Sequence, residues 1–164
     1  MSSPITVRDA TPADVDALVA MLVEVAGEGR WIGTEAPVDT ARRCRRMAAE
    51  VEAADVVVLV AEAEGKPVGQ LGLELARYGV ADLGMLVAAG WRGRGVGTAL
   101  MAEAVERARA AGAHKIALQV WPHNTAAIAL YERFGFQREG YLRRHYRRRS
   151  GELWDAVVMG LPLD

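Results

Sequence analysis

The chain has 164 residues, of which 51% are hydrophobic and 25% are charged, and its formal net charge is −1. These values exclude a disordered chain and a strongly basic nucleic-acid-binding domain. We therefore expect one globular domain over residues 1–164. A single cysteine excludes an internal disulfide. Because only three histidines accompany it, we expect no metal site.

Charge is unevenly distributed along the chain. Residues 1–75 hold 13 acidic and 7 basic side chains, whereas the remaining residues hold 8 and 13. An anionic ligand is therefore expected to bind the second half. No segment reaches the roughly 18 consecutive apolar residues of a membrane-spanning helix, and the N-terminus does not resemble a secretory signal. We expect a cytoplasmic protein that binds neither membrane nor nucleic acid.

The first half predicts one short strand followed by two helices. Alternation favours a strand over Ile5–Val7, and Thr11–Pro12 is typical of a helix start because a hydroxyl precedes a proline at the first helical position. That helix should continue to Gly27. The stretch 27–37 has no periodicity and is predicted to be a loop. A second helix is expected from Asp39 or Thr40 to about Ala53.

The rest of the chain predicts strands interrupted by two helices. Its expected strands and helices, in chain order, are strands 56–63, 68–75 and 80–87, a helix over 96–111, a strand over 116–121, a helix over 124–134, and strands 136–148 and 152–161. The fold class is therefore α/β (α+β), with a mixed, mostly antiparallel sheet of about seven strands and four helices packed on it.

A glycine-rich segment joins the third of these strands to the following helix. It contains Arg92, Gly93, Arg94, Gly95, Val96, Gly97 and Thr98. The first turn of a helix leaves backbone N–H groups without partners, and glycines allow an anion to approach them. Two arginines add positive charge, so the segment is interpreted as a diphosphate cradle. The alternative is a tight glycine turn without a ligand. A Walker loop fits poorly because its lysine is missing, and a dinucleotide-binding fingerprint fits poorly because its glycine spacing is missing.

The pattern Arg92-x-x-Gly95-x-Gly97 resembles the acetyl-CoA-binding motif of the GNAT family of N-acetyltransferases. The segment Asn124–Phe136 is similar to a second motif of that family, Asn-x-x-Ala-x-x-Leu-Tyr-x-x-x-Gly-Phe. The predicted element order agrees over nearly the whole chain, and the last third is most similar to ribosomal-protein N-terminal alanine acetyltransferases. The resemblance implies a sheet that splays between strands 80–87 and 116–121.

The same resemblance implies roles for individual residues. The backbone of Met85, Leu86 and Val87 would pair with the pantetheine arm of acetyl-CoA, and residues 92–98 would hold its diphosphate. Asn124 would donate a hydrogen bond to the cofactor, and Tyr131 would lie beside the sulfur as general acid. The reaction would be direct attack of a primary amine, on a small molecule or a protein N-terminus, on the thioester.

Spacing supports the last pair independently of the resemblance. Asn124 and Tyr131 are seven residues apart, so two helical turns place them on one face of a helix. A tyrosine hydroxyl is protonated at neutral pH and can donate a proton to a departing thiolate. The alternative is a tyrosine that only packs on the sheet.

The general base is not identified by the resemblance. Ribosomal-protein alanine acetyltransferases carry a glutamate where this chain has Gln119, and an amide cannot accept a proton at neutral pH. Glu74 and Asp82 are the candidate replacements, and the further candidates are Glu28, Glu35 and His123. A non-catalytic acyl-CoA-binding module is the alternative function that Gln119 leaves open.

Two further segments are candidates for acceptor binding. Trp31 and Glu35, in the loop after the first helix, could hold an apolar body and a cationic amine, or the loop could be an ordinary connection. The arginine-rich segment 143–149 is predicted to be a solvated hairpin, with contact to an acidic acceptor or to nucleic acid as alternatives. A homodimer is also a possibility that the sequence leaves open.

Overall fold

A computed structural model describes residues 3–75 and 77–163. In those residues the chain forms seven strands and four α-helices. The strands are β1 (Thr6–Asp9), β2 (Val56–Ala63), β3 (Lys66–Leu75), β4 (Val80–Val87), β5 (Lys115–Val120), β6 (Gln137–Arg147) and β7 (Leu153–Pro162). The helices are α1 (Val15–Gly27), α2 (Thr40–Glu52), α3 (Val96–Ala110) and α4 (Thr125–Arg133). The predicted fold class is confirmed.

All seven strands form one sheet in the order β1-β2-β3-β4-β5-β7-β6. Neighbours are antiparallel except β4 and β5, which are parallel. Those two strands pair only from Val80 with Lys115 to Asp82 with Ala117. Beyond Asp82 they separate, so the expected splay is present and the far half of β4 has one edge without a partner strand.

Helices cover both faces of the sheet because β2 alternates between them. Val58 and Val60 pack in a cluster with α1 residues such as Leu18, whereas Leu59 and Ala61 pack in a cluster with α3 residues such as Leu100. These side chains are almost completely buried. The sheet therefore packs between two hydrophobic clusters. No helix within the described ranges is long and apolar enough to cross a bilayer.

The predicted elements differ from the observed ones mainly at their ends. The first helix begins with a 3₁₀ turn over Pro12–Asp14 before α1 starts at Val15. The Asp14 carboxylate accepts a hydrogen bond from the Thr11 amide at 2.7 Å, which satisfies a donor at the helix start. Asn124, predicted as the first residue of a helix, is the N-cap of α4.

Candidate functional site

A cleft of about 600 Å³ opens where β4 and β5 separate. Its walls are the end of β4, the loop before α3, the first turn of α3, one side of α4 and part of the loop after α1. Of the predicted site residues, the lining includes Trp31, Met85, Leu86, Val87, Arg92, Gly93, Gly95, Val96, Gly97, Thr98, Asn124 and Tyr131. The structure therefore brings both predicted motifs to one cavity.

The backbone amides of the glycine segment are available to a ligand. Within residues 3–75 and 77–163, no protein acceptor takes a hydrogen bond from the amides of residues 93–98. Gly93 and Gly95 have φ values of 71° and 86°, a left-handed conformation that side chains other than glycine adopt at a cost. The N-terminus of α3 adds partial positive charge at the same place. This arrangement fits the diphosphate of acetyl-CoA.

The two arginines of this segment already have partners within the protein. The two terminal nitrogens of Arg92, Nη1 and Nη2, each donate a hydrogen bond to the Glu28 carboxylate at 2.7 Å. The Arg92 Nε donates to the Val87 carbonyl at 3.2 Å. The Arg94 guanidinium lies 3.8 Å from the centre of the Trp91 ring and does not line the cleft. The unpartnered donors at this end of the cleft are main-chain amides, and Arg30, Arg92 and Arg133 also line the cleft.

The far half of β4 provides an open backbone edge beside these amides. Met85, Leu86 and Val87 pair with β3 on one side, whereas β5 has already diverged on the other. An extended ligand can add to such an edge as a further strand would. The geometry agrees with the predicted position of the pantetheine arm.

Asn124 and Tyr131 line the cleft from α4, as their spacing predicted. The Asn124 side-chain oxygen accepts a hydrogen bond from the Ala127 amide at 3.3 Å, so this residue also caps the helix. Tyr131 is only 7% exposed, and the centre of its ring lies 5.6 Å from the centre of the Phe136 ring. Burial raises the pKa of the Tyr131 hydroxyl to about 12, so it stays protonated at neutral pH.

A second cavity of about 260 Å³, here called the acceptor pocket, continues from the cleft on the other side of Tyr131. Both cavities share Trp31, Ile32, Met85, Asn124 and Tyr131. The remaining lining residues are uncharged: Gly33, Leu83, Gly84, Gln119, Val120, Trp121, Tyr146 and Ala156. The Tyr146 hydroxyl donates a hydrogen bond to the Gln119 side-chain oxygen. A small, uncharged chamber with four aromatic side chains therefore adjoins the cleft at Tyr131.

The two candidate bases of first choice lie elsewhere. Glu74 and Asp82 are exposed cross-strand neighbours on β3 and β4. They line a third cavity beside α2, which does not include Tyr131 but shares Ile32, Leu83, Gly84 and Met85 with the acceptor pocket. Asp82 still pairs with Ala117 of β5, so it lies before the point where the strands separate. The structure does not bring either carboxylate to the cleft or the acceptor pocket.

The other three candidate bases hold the loop of residues 28–37, here called the acceptor loop. Glu28 binds Arg92, whose hydrogen bonds lower the pKa of that carboxyl. The His123 Nε2 lies 2.7 Å from the Arg30 carbonyl oxygen. Both carboxylate oxygens of Glu35 accept a hydrogen bond from the Arg149 amide at 3.1 Å. Glu35 therefore does not line the acceptor pocket, whereas Trp31 does.

Sequence reasoning did not identify the partners of this loop. Arg148 and Arg149 belong to the segment predicted to be a solvated hairpin, yet Arg148 is buried and contacts the acceptor loop. The only sequence signal was the arginine run itself, which did not indicate which member turns inward. Among the described residues, no three His, Cys, Asp or Glu side chains are grouped to hold a metal ion.

Comparisons with known proteins agree with this arrangement. A family model described as the Acetyltransferase (GNAT) family matches residues 19–136. An L-methionine sulfoximine/L-methionine sulfone acetyltransferase of Pseudomonas paraeruginosa is 29% identical over 97% of this chain and 95% of its own length. The crystal structure of a ribosomal-protein-alanine N-acetyltransferase from Brucella melitensis is 30% identical, covers 96% of this chain and 99% of its own, and superimposes with a TM-score of 0.87.

A third similarity concerns the fold. A phosphinothricin acetyltransferase from Sinorhizobium meliloti, solved in complex with acetyl-CoA, has a TM-score of 0.85 at 24% identity, over 97% of this chain and 88% of its own. The resemblance seen in the sequence, including that to ribosomal-protein alanine acetyltransferases, is confirmed. The relatives with long coverage bear different substrate names.

Proposed function

Because the chain belongs to the GNAT family of acetyltransferases and is an acetyl-CoA-dependent N-acetyltransferase, we propose that it acetylates the α-amine of an amino acid or peptide, with Tyr131 as the proton donor. The observation that carries the proposal is the set of unpartnered amides at residues 93–98, in a cleft that is also lined by Tyr131. Cytoplasmic location and a homodimer stay predictions.

The main chain performs the binding step. When bound, acetyl-CoA supplies the activated acetyl group. The amides of residues 93–98 donate hydrogen bonds to its diphosphate, and the dipole of α3 favours the negative charge there. The open edge of β4 at residues 85–87 holds the extended arm, and the Asn124 side-chain amide donates to the same arm. These contacts place the thioester between Met85 and Tyr131.

Tyr131 then acts on the sulfur. Its pKa of about 12 keeps the hydroxyl protonated throughout the physiological range. The amine nitrogen bonds to the acetyl carbon as the carbon–sulfur bond breaks, and the Tyr131 hydroxyl donates its proton to the leaving sulfur. The nitrogen releases its proton to solvent, from which the Tyr131 oxygen regains one. The site around Tyr131 is largely closed to water, which strengthens this interaction. A backbone N–H of β4 is the proposed donor to the thioester oxygen.

The acceptor pocket holds the amine without deprotonating it. Its described lining contains no carboxylate or histidine side chain, so the amine has to enter in its neutral form. An α-amine has a pKa near 8, whereas a lysine side chain has a pKa near 10.4, so the neutral form is far more abundant for the α-amine. The relatives named for methionine sulfoximine and for ribosomal-protein alanine support an acceptor of this kind.

The decisive measurement is release of free thiol from acetyl-CoA in the presence of single amines. We expect turnover with α-amines, including neutral L-amino acids and a peptide with a free N-terminus, and slow turnover with Nα-blocked lysine. The pH profile of kcat/KM should rise with the ionisation of each amine. Its midpoint should therefore move when the acceptor is replaced by one of different pKa.

Two results contradict the proposal. A midpoint that stays at one pH for acceptors of different pKa identifies a base on the enzyme. Stabilisation by acetyl-CoA without turnover on any amine indicates an acyl-CoA-binding module instead.

A further inference from the structure

We propose that Arg148 is a positioning residue that sets the shape of the acceptor pocket by holding its two walls together. This inference rests on the proposed function for the identity of that pocket. One wall consists of Trp31, Ile32 and Gly33 of the acceptor loop, and the facing wall includes Trp121. Arg148 contacts both walls, although it lies on the hairpin after β6 and does not line the pocket.

The contacts of Arg148 use most of its side chain. Its Nη1 donates to the Gly33 carbonyl at 3.1 Å and its Nη2 lies 3.5 Å from the Ile32 carbonyl. Its Nε is 3.5 Å from a carboxylate oxygen of Glu35. The guanidinium lies 5.2 Å from the ring centre of Trp121 and 4.3 Å from that of Trp154. It is therefore enclosed by two aromatic rings, two carbonyls and one carboxylate.

This degree of burial is unusual for a cation. Arg148 is 6% exposed, whereas its neighbours Arg147 and Arg149 are exposed. Burying a guanidinium is costly unless hydrogen bonds and opposite charge compensate for lost hydration. Only arginine presents several donors in a fixed plane that can also stack on an indole. The site is thus built for this side chain, and its contacts end on the pocket wall.

The acceptor loop has separate attachments on its cofactor side. Glu28 is held by Arg92, and the Arg30 carbonyl is held by His123. These contacts do not involve Arg148. Loss of Arg148 should therefore release residues 32–37 from the hairpin while leaving the cofactor end of the loop in place. The shape of the acceptor pocket that binds the amine then becomes a minor conformation. The apparent Kd for the acceptor rises in inverse proportion to the fraction of protein in that conformation.

The test compares Arg148→Met, Arg148→Lys and the matched control Arg147→Met. Arg147 is exposed, and its side chain makes no hydrogen bond or ion pair within the described part of the chain. For Arg148→Met we expect the acceptor KM to rise about tenfold or more, with the acetyl-CoA KM within about twofold of wild type. Arg148→Lys should give a smaller rise, because one ammonium replaces only part of the contacts.

A second measurement does not depend on turnover. Thermolysin cleavage within residues 32–37 should be faster in Arg148→Met and unchanged in Arg147→Met. Glu35→Gln is a milder variant for use if Arg148→Met does not fold, with the same change in cleavage and about a threefold rise in acceptor KM expected.

The proposal is overturned if cleavage within residues 32–37 is unchanged, or if both Michaelis constants rise in parallel. Failure of the proposed function is a distinct result, because wild-type protein would then acetylate no α-amine. Cleavage of the loop would still decide the role of Arg148.

Discussion

Replacement of Tyr131 by phenylalanine removes one hydroxyl from the place where the cleft and the acceptor pocket meet. Within the described residues this hydroxyl makes no hydrogen bond to protein, while its ring packs against Phe136. Phenylalanine keeps the ring and its contacts. Since no protein partner is lost, we expect the free energy of unfolding to change little.

The effect on catalysis can be bounded from the environment of Tyr131. Burial raises its pKa to about 12, so the hydroxyl is protonated when the reaction begins. As it donates its proton, it forms a hydrogen bond to the negative charge that develops on the leaving sulfur. Such bonds contribute about 1.5–3 kcal/mol, and each 1.36 kcal/mol changes a rate about tenfold. Tyr131→Phe should therefore lower kcat by about 10- to 150-fold.

The assay is thiol release at saturating acetyl-CoA and acceptor, with thermal unfolding measured in parallel. Tyr141→Phe is the matched control: Tyr141 is 52% exposed on β6 and donates to Asp155, away from the cleft. We expect it to retain wild-type kcat. A Tyr131→Phe protein with kcat within about twofold of wild type would refute the role of the hydroxyl as proton donor.

Two further predictions concern the cradle and the pH dependence of stability. Gly95→Ala should raise the Kd for acetyl-CoA about fivefold or more, because a left-handed conformation costs a non-glycine residue about 1–2 kcal/mol. The control is Gly112→Ala, at the other end of α3, where φ is 81° and the surroundings are equally open. It should lower the free energy of unfolding without changing this Kd. The Arg8 guanidinium lowers the pKa of Asp14, so this carboxylate stabilises the fold above its ordinary pKa near 3.8 and the contribution is lost as the pH falls further. Thermal unfolding should thus show Asp14→Asn less stable than wild type at pH 7, with the difference shrinking below about pH 4; a constant difference would contradict the linkage.

Much of the fold could be predicted because local signals and hydrophobic patterns agree. Proline after Thr11 and the Asp39 side chain, which accepts from the Arg42 amide, both mark helix starts that the structure contains. The β-branched run 56–63 is found as β2 with identical bounds. The unpaired amides of residues 93–98 were predictable for a similar reason, since the first turn of a helix leaves its N–H groups without partners.

Side-chain directions could not be predicted in the same way. Arg92 and Arg94 were expected at the anion because residue type and sequence position were all that could be used. Arg92 lines the cleft but also binds Glu28, a residue 64 positions earlier, and no local pattern indicates that pairing. The position of Glu74 and Asp82 outside the lining of the acceptor pocket could not be predicted for a related reason. Whether a carboxylate on β4 faces the splay depends on where β5 diverges, and that point is set by tertiary pairing.

The uneven distribution of charge has a structural explanation that differs from the expected one. The excess of basic residues in the second half led us to expect ion pairs with an anionic ligand. Three of those arginines bind acids of the first half: Arg92 with Glu28, Arg107 with Asp9, and Arg148 with Glu35. These pairs connect the two halves of the chain, and two of them hold the acceptor loop. Arg30 and Arg133 line the cleft together with the unpartnered amides of residues 93–98, so part of the basic excess fixes the geometry of the site and part lies where an anionic ligand could reach it.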